Sequence, residues 1–246
     1  MKRGHVAIIC VLLALSAEPS PKCHKFTGAN GKDLYAHLVS YDAKSKKVGL
    51  RTPKKGFLSI PIGLFSEADR QYVVEWAQEK ALLDDKVFRI RIKKKRQEDK
   101  SRRVDNGFDI THYYDRWFEI SVENKSGFDF LKVEVEYDVF YSQEELESYE
   151  GATKREKFGV RYASFKKDFL RGSKTKMETE RILLFDYSNG CNGMGFPDMK
   201  GELEGAIFKL HLTLPSGRVV SRTLRLPKSL KRSWTSEDRE PHLQDD

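Results

Sequence analysis

The chain has few residues that could crosslink it or bind metal, and no long apolar run. Its 246 residues include 3 cysteines, 6 histidines and 3 tryptophans. No Cys-x-x-Cys motif and no pair of histidines at i, i+4 spacing occurs, so a zinc site has no support. The longest apolar stretch, Val6 to Leu15, is shorter than the roughly 20 residues that span a bilayer. The sequence therefore predicts no metal, no cofactor and no integral membrane segment in the mature chain.

The composition is nevertheless that of a folded protein. Hydrophobic residues make up 39% of the chain and aromatic residues 11%, which is enough for a core and excludes wholesale disorder. The formal net charge is +8. The length fits one large domain or two modest ones, and the patterns described below favour two.

The N-terminus has the organisation of a secretory signal peptide. Lys2 and Arg3 precede the apolar run, and small residues follow it. We expect a signal peptide over residues 1–17, cleaved after Ser16 or Ala17, and hence a secreted or periplasmic protein.

Cleavage would leave an even number of cysteines in the mature chain. Cys23 and Cys191 remain, and an oxidising compartment permits one disulfide between them without requiring it. Two separate thiols are an equal alternative, because no spacing pattern links the two positions.

The segment from Phe26 to about Gln78 reads as short strands followed by a helix. Apolar residues alternate with polar ones at Leu34, Ala36 and Leu38, at Val48 and Leu50, and from Phe57 to Ile62. Ser66 then precedes acidic residues, as at a helix N-terminus, and Tyr72, Val73 and Trp76 follow at helical spacing. This order predicts a small barrel closed by a helix, over residues 24–82.

The same residues resemble the first SLA homology domain. The matching pattern is Phe26-Thr27, Gly31, Ala36-x-Leu38-Val39, Val48-x-Leu50, Ile60-Pro61 and Leu64-x-Ser66-x-x-Asp69-x-x-Tyr72-Val73-x-x-Trp76. Similar modules occur in exported proteins of planctomycete and verrucomicrobial bacteria. The resemblance implies an SH3-like barrel that binds peptides, in the eukaryotic case Asn-Pro-Phe-x-Asp sorting signals. It also implies adaptor roles that involve cytoskeletal proteins, ubiquitin or identical-protein binding.

The candidate peptide groove consists of exposed residues of this module. They are Tyr35, Lys54, Lys55, Phe57 and Arg70. Leu64 stands where the eukaryotic pattern has a basic residue, so a charge-assisted contact worth about 1.5–3 kcal/mol would be absent. The other matched apolar residues, such as Leu50 and Trp76, are better explained as core.

Residues 86–227 have the alternation of an antiparallel β-sandwich. Predicted strands are Phe88–Lys93, Phe118–Glu123, Leu131–Tyr141, Phe158–Tyr162, Met177–Leu184, Ala206–Leu214 and Val219–Leu226. About seven such strands predict an immunoglobulin-like or fibronectin-like sandwich, and only Gln143 to Tyr149 could have helical periodicity. Asn124-Lys125-Ser126 matches the glycosylation motif, but a turn explains it equally simply. Residues 228–246 read as a flexible polar tail.

The remaining motifs carry little chemistry. The Gly-rich stretch Ser188 to Gly195 lacks the Gly-Lys-Ser/Thr ending of a P-loop and is interpreted as a bulged loop, the best candidate for a binding edge of the second domain. No motif pairs Cys191 with His112 or His211, so we expect no enzyme activity.

A cationic stretch follows the first strand of the sandwich. It comprises Arg89, Arg91, Lys93, Lys94, Lys95, Arg96, Lys100, Arg102 and Arg103. We interpret it as a solvated strand face and a hairpin loop. No aromatic residues interleave for base stacking, so nucleic acid is not expected, and weak contact with an anionic envelope polymer is the alternative.

The sequence thus predicts a mostly-β, non-catalytic, exported protein with a small SH3-like barrel, a helix and an immunoglobulin-like sandwich. Its expected function is adaptor-like binding of a protein or peptide. The alternative is a structural cell-envelope protein that self-associates. Fold-level analogy alone does not decide between them.

Overall fold

The computed structural model describes residues 23–53, 56–98, 103–105, 109–148, 153–189 and 197–230. Those ranges hold thirteen strands, one α-helix and one short 3-10 helix, so the mostly-β fold is confirmed. The chain divides into two compact units between Val73 and Val74. No helix within these ranges is long and apolar enough to cross a bilayer.

The first unit holds one antiparallel sheet with the strand order β1-β2-β3-β4. Its strands are β1 His24–Thr27, β2 Asp33–Asp42, β3 Lys47–Thr52 and β4 Gly56–Pro61. Successive side chains of a strand point to opposite faces, so the alternating apolar residues share one side. The buried cluster consists of Phe26, Ala36, Val48, Leu50, Phe65 and Val73. The side chains that alternate with the buried ones along each strand form the opposite, outer face of the sheet.

A 3-10 helix, Ile62–Leu64, and helix α1, Glu67–Leu83, follow the sheet. The Ser66 hydroxyl accepts a hydrogen bond from the Asp69 N–H over 3.3 Å and so satisfies one of the first free amides of the helix. The first turn also carries Glu67, whose negative charge is favourable at this end of a helix. The helix therefore begins at the position that the Ser-x-x-Asp pattern predicts.

The second unit contains two facing sheets. In one, β7 Asp109–Asn124 pairs on one side with β5 Phe88–Glu98 and β6 Val104–Asp105, and on the other with β10 Lys174–Glu178 and β11 Ile182–Asn189. The other has the order β13-β12-β8-β9, with β8 Phe130–Ser148, β9 Thr153–Phe169, β12 Gly201–Thr213 and β13 Val219–Leu226.

Both sheets contribute to one core. Phe118 of β7 meets Phe208 of β12 edge to face, with ring centroids 6.3 Å apart. Phe130, Val133, Val135, Tyr137 and Val139 of β8 belong to the same cluster. The unit is therefore an antiparallel two-sheet β-sandwich.

Several strands differ in extent from the prediction, and β5, β7, β8, β9 and β12 are all longer than predicted. The stretch Met177 to Leu184 is divided between β10 and β11 at Thr179, whose hydroxyl accepts the Phe118 N–H and whose N–H donates to the Phe118 carbonyl, each over 3.0 Å. The stretch from Gln143 to Ser148 is not helical but continues β8, where it pairs with β9 from Lys157 back to Thr153. Long-range pairing thus overrides the local periodicity.

The Asn-x-Ser motif forms a structural turn. Asn124 is 1% exposed. Its Oδ1 accepts hydrogen bonds from the N–H and hydroxyl of Ser126, and its Nδ2 donates to the carbonyls of Phe128 and Phe169 over 2.8 Å each. All of its polar capacity is used inside the fold, which supports the turn interpretation.

A buried arginine anchors the end of α1 to β5 within the second unit. Arg222 is 8% exposed. Its Nη1 donates to the carbonyls of Leu82 and Phe88 over 2.7 and 2.8 Å, and its Nη2 pairs with Asp85. Burial lowers the pKa of Arg222, and the charge of Asp85 opposes that shift. The guanidinium thus satisfies the carbonyl of Leu82 in the last turn of the helix, which has no partner within the helix, as well as the carbonyl of Phe88 at the start of β5.

Candidate functional site

The outer face of the first sheet carries two exposed aromatic side chains. The strand register places His37 of β2 opposite Arg51 of β3, and Arg51 opposite Phe57 of β4, so the three form one row across the sheet. Tyr35 lies two residues before His37 and therefore points to the same side. We call Tyr35, His37, Arg51 and Phe57 the aromatic face.

Both rings are unusually accessible for a folded unit of this size. Tyr35 is 59% exposed and Phe57 is 61% exposed, whereas Ala36 and Leu50 on the opposite side are fully buried. Isolated exposed apolar residues are common, but two largely exposed aromatic side chains on one face of a small sheet are a feature of binding surfaces. The aromatic face is thus the candidate binding surface of this unit.

The position of the Phe57 ring depends on Gly49. A Cβ atom at Gly49 would lie 3.0 and 3.1 Å from two atoms of the Phe57 ring and 2.3 Å from Ser40 Oγ. The absent side chain therefore lets the ring lie close to the backbone of β3. This contact supports Phe57 from below, although its outer surface is open to solvent.

Polar groups surround the aromatic face. Lys25 of β1 lies opposite Tyr35 and forms an ion pair with Asp33 over 2.9 Å. The hydrogen bond from Lys25 lowers the pKa of Asp33, and the bond to Asp33 raises the pKa of Lys25. Cys23 is an exposed thiol with Sγ 3.2 Å from His37 Nε2. The face therefore combines aromatic surface with donors and a cation at Arg51, as peptide-binding sites commonly do.

The structure brings together only some of the predicted groove residues. Tyr35 and Phe57 share the aromatic face. Lys54 and Lys55 lie outside the described residues. Arg70 lies on α1, and among the described residues no hydrogen bond, ion pair or ring contact joins it to the aromatic face. Leu64 is 59% exposed at the end of the 3-10 helix, and its carbonyl accepts the Ala29 N–H.

The Asp69 carboxylate accepts several hydrogen bonds, and all of its partners lie within the first unit. Its carboxylate accepts hydrogen bonds from the Thr27 N–H over 2.7 Å, from His24 Nε2 over 2.8 Å and from the Ser66 hydroxyl over 2.9 Å. Burial opposes ionisation of Asp69, but the bonds from Thr27, His24 and Ser66 outweigh it and lower the pKa of that carboxyl. Since every oxygen is engaged, Asp69 joins α1 to β1 rather than binding a ligand.

A serine, a histidine and a carboxylate lie together on the outer face of the second sheet of the sandwich. His211 Nδ1 is 2.7 Å from Ser221 Oγ, and His211 Nε2 is 3.6 Å from Glu136 Oε2. These residues lie on the paired strands β13, β12 and β8, and His211 lies directly opposite Ser221. The row is a cross-strand cluster that joins these three strands.

Other predicted features fall partly outside the described residues. Residues 1–22, residues 190–196 of the Gly-rich stretch and residues 231–246 of the tail belong to this group, together with Lys100 and Arg102. The proposed bond between Cys23 and Cys191 stays a prediction because Cys191 is among them. In the part of the chain that the structure describes, no three His, Cys, Asp or Glu side chains are placed to hold a metal ion.

Sequence reasoning missed His37, Arg51 and Gly49. The alternation that predicted Tyr35 as exposed also places His37 on the same side, so this residue could have been found. Arg51 and Gly49 join the site only through the pairing of β3 with β2 and β4. That register is not visible in a local pattern.

Comparisons with known proteins leave the family open. No family model matches the chain, and no curated protein matches it. Among solved structures, the structural-genomics target SoR45 is 12% identical, with a TM-score of 0.24, and the match covers 62% of this chain and 96% of that one. A protein described as ApaA from Bordetella pertussis is 8% identical, with a TM-score of 0.25 and coverage of 56% and 89%. Similarities at this level carry no information on function.

Proposed function

We propose that this is an exported, non-catalytic protein that binds a protein or peptide ligand through the aromatic face of its first unit. The observation that carries the proposal is the pair of accessible rings, Tyr35 at 59% and Phe57 at 61% exposure, on one side of a sheet whose other side is core. The resemblance of this segment to the first SLA homology domain agrees with such a role.

The geometry suits an extended or turn-forming segment. The two rings lie on one side of the sheet, with Arg51 on the strand between those that carry them and Lys25 beside Tyr35. A ligand with an aromatic anchor and a nearby carboxylate would match both features. An Asn-Pro-Phe-x-Asp segment has this composition. In the eukaryotic pattern a basic residue stands at the position of Leu64, and here Arg51 of the aromatic face supplies the positive charge instead.

The experiment compares surface variants of the full chain. Labelled Asn-Pro-Phe-x-Asp peptide and a scrambled peptide are titrated with the protein, and binding is followed by fluorescence anisotropy. Tyr35→Ser and Phe57→Ser should each weaken specific binding by about tenfold or more, since loss of an anchoring ring at an interface costs more than about 1 kcal/mol.

Phe158→Ser is the matched control. Phe158 is a 54% exposed phenylalanine in the second unit, so the substitution removes the same side chain from a different surface. Its dissociation constant should equal that of the wild type. Equal binding of the scrambled peptide, or equal losses in Phe57→Ser and Phe158→Ser, would remove support for the aromatic face.

Self-association is the second candidate function, and one observation favours it. In the described residues β9 pairs only with β8, so seventeen residues of β9 form one border of a sheet. A long border strand can pair with a second copy of a chain. Sedimentation velocity distinguishes the two candidates. A ligand-binding protein remains a monomer at micromolar concentration. An assembly protein forms larger species, and Phe158→Ser lowers their proportion.

A further inference from the structure

At one end of the sandwich, the residues on the inner face change from apolar to charged. Along β5, residues Phe88, Ile90 and Ile92 point into the core, and the same alternation continues through Lys94 and Arg96. The register confirms this, because Lys94 lies opposite the fully buried Phe118, and Arg96 lies opposite Arg116. Lys94 and Arg96 thus follow the core-facing side of β5, and both remain exposed, as expected for the predicted solvated stretch.

The facing sheet closes this end into a small cavity. Lys94 Nζ donates a hydrogen bond to the carbonyl of Leu203 on β12, and this bond joins the two sheets. The cavity has a volume of about 190 Å³ and is lined by Lys94, Lys95, Arg96, Arg116, Glu202 and Leu203. Pockets for drug-sized ligands have volumes of about 300–1,000 Å³. This one therefore suits a small ion or the terminal group of a larger molecule.

Positive charge in the cavity is only partly compensated. Two arginines directly opposite each other on neighbouring strands repel. A single carboxylate serves both: Asp186 Oδ2 lies 3.2 Å from Arg96 Nη2 and 3.7 Å from Arg116 Nη2. Glu202 is the one acidic residue of the lining, and it is exposed. Lys95, the fourth cation of the lining, pairs with Glu119 over 3.7 Å. The remaining three cations, Lys94, Arg96 and Arg116, are thus matched by two carboxylates, Asp186 and Glu202.

The guanidinium of Arg116 also has unused donor capacity. Its side chain is 18% exposed, and its Nε is buried without a hydrogen-bond partner among the described residues. Burial first, and then the charge of Arg96, lower the pKa of Arg116, while Asp186 and Glu202 oppose this shift. A buried donor without an acceptor is costly unless a bound group satisfies it.

The position of Arg96 is fixed before any ligand arrives. Its guanidinium carbon lies 3.3 Å from the centroid of the Tyr114 ring, and Asp186 holds its Nη2. A guanidinium that is stacked and hydrogen-bonded loses little freedom on binding an anion. The cavity thus contains pre-positioned fork-shaped donors, which match the geometry of a tetrahedral oxyanion.

We propose that the cavity between β5, β7 and β12 is a binding site for a phosphate-type oxyanion, held by Arg96, Arg116 and Lys94. The anion occupies the side of the arginines away from Asp186 and accepts hydrogen bonds from the guanidinium groups and from the ammonium group. This site is separate from the aromatic face and does not depend on the function proposed for it.

The test is an amide-shift titration of the full chain with inorganic phosphate, with sodium chloride at matched ionic strength as the salt control. Saturable shifts are expected at Lys94 to Arg96, at Arg116 and at Glu202. Glycerol phosphate distinguishes the source of the group: equal or tighter binding of this ester indicates the end of a larger ligand, and binding of phosphate alone indicates the free ion.

Three variants assign the site. Arg116→Gln should weaken phosphate binding by about tenfold or more, because a charge-assisted bond is lost. Glu202→Gln should tighten it about two- to fivefold, because a repelling charge is removed, and a gain of affinity cannot result from misfolding. Lys174→Gln removes one positive charge from a lysine cluster elsewhere and should leave affinity unchanged.

Two results would overturn the proposal. One is the absence of saturable shifts at phosphate concentrations on the order of 50 mM, far above the millimolar range of weak specific binding. The other is the same dissociation constant in Arg116→Gln, Glu202→Gln and Lys174→Gln, which would indicate diffuse attraction to the net positive charge.

Discussion

Replacement of Asp69 should destabilise the first unit strongly without touching the aromatic face. The carboxylate accepts bonds from the Thr27 N–H, His24 and the Ser66 hydroxyl. Bonds to a charged acceptor contribute about 1.5–3 kcal/mol, and a lost helix cap about 1 kcal/mol. Because these contributions overlap, Asp69→Ala should lower the free energy of unfolding by about 2–4 kcal/mol. Asp69→Asn keeps one acceptor and should cost roughly half as much.

Hydrogen exchange of the β2 and β3 amides is the suitable assay, since it reports on the first unit alone. Asp33→Asn is the control, because Asp33 is an exposed aspartate whose partner is Lys25, and its exchange rates should match the wild type. If Asp69→Ala leaves protection within about 0.5 kcal/mol of the wild type, the internal role of Asp69 is refuted.

The pH dependence follows from the direction of the shift. The pKa of Asp69 is lower in the folded state than the unfolded value of about 3.9. Its contribution to stability is therefore fully present above that unfolded value and is lost as the pH falls through the folded pKa. The difference in stability between wild type and Asp69→Asn should be largest near neutral pH and should shrink in acid. A difference that grows in acid would contradict this assignment.

Two further substitutions and one glycosylation measurement test other contacts. Gly49→Ala should displace the Phe57 ring and weaken peptide affinity severalfold, as anisotropy would detect; unchanged affinity would show that the ring position is unimportant. Arg222→Gln should cost about 2–4 kcal/mol in urea unfolding of the second unit because buried carbonyls lose their donor, whereas the exposed Arg218→Gln should cost less than about 1 kcal/mol. Asn124 should carry no glycan when the chain is secreted from a glycosylating host, and mass spectrometry showing occupancy there would contradict its buried role.

Much of the fold follows from local patterns. The alternation at Leu34, Ala36 and Leu38 predicts a strand with one buried side, and the structure confirms it. Helix α1 is predicted by Ser66 and the spacing that follows it, because capping is a local interaction. Strand extents depend on partners instead: β10 and β11 are divided at Thr179, which bonds to Phe118, sixty-one residues away in sequence.

The two candidate sites also depend on strand pairing that a local sequence pattern does not reveal. Tyr35 and Phe57 could be predicted as exposed from their strands, but Arg51 joins them only through the register of β3. Lys94 and Arg96 follow the alternation of Ile90 and Ile92, and both are exposed, as their charge suggests. The pocket that they line could not be predicted, because it forms only with β12 beside them: Lys94 bonds to Leu203, which is 109 residues further along the chain.

The most direct test of the central claim is an amide-shift map of the full chain titrated with an Asn-Pro-Phe-x-Asp peptide, a scrambled peptide and ubiquitin. The account predicts saturable shifts for one specific ligand, clustered at Tyr35, His37, Arg51 and Phe57 and absent in Phe57→Ser. No shifts at millimolar ligand, or saturable shifts confined to the second unit, would contradict the aromatic face as the binding surface.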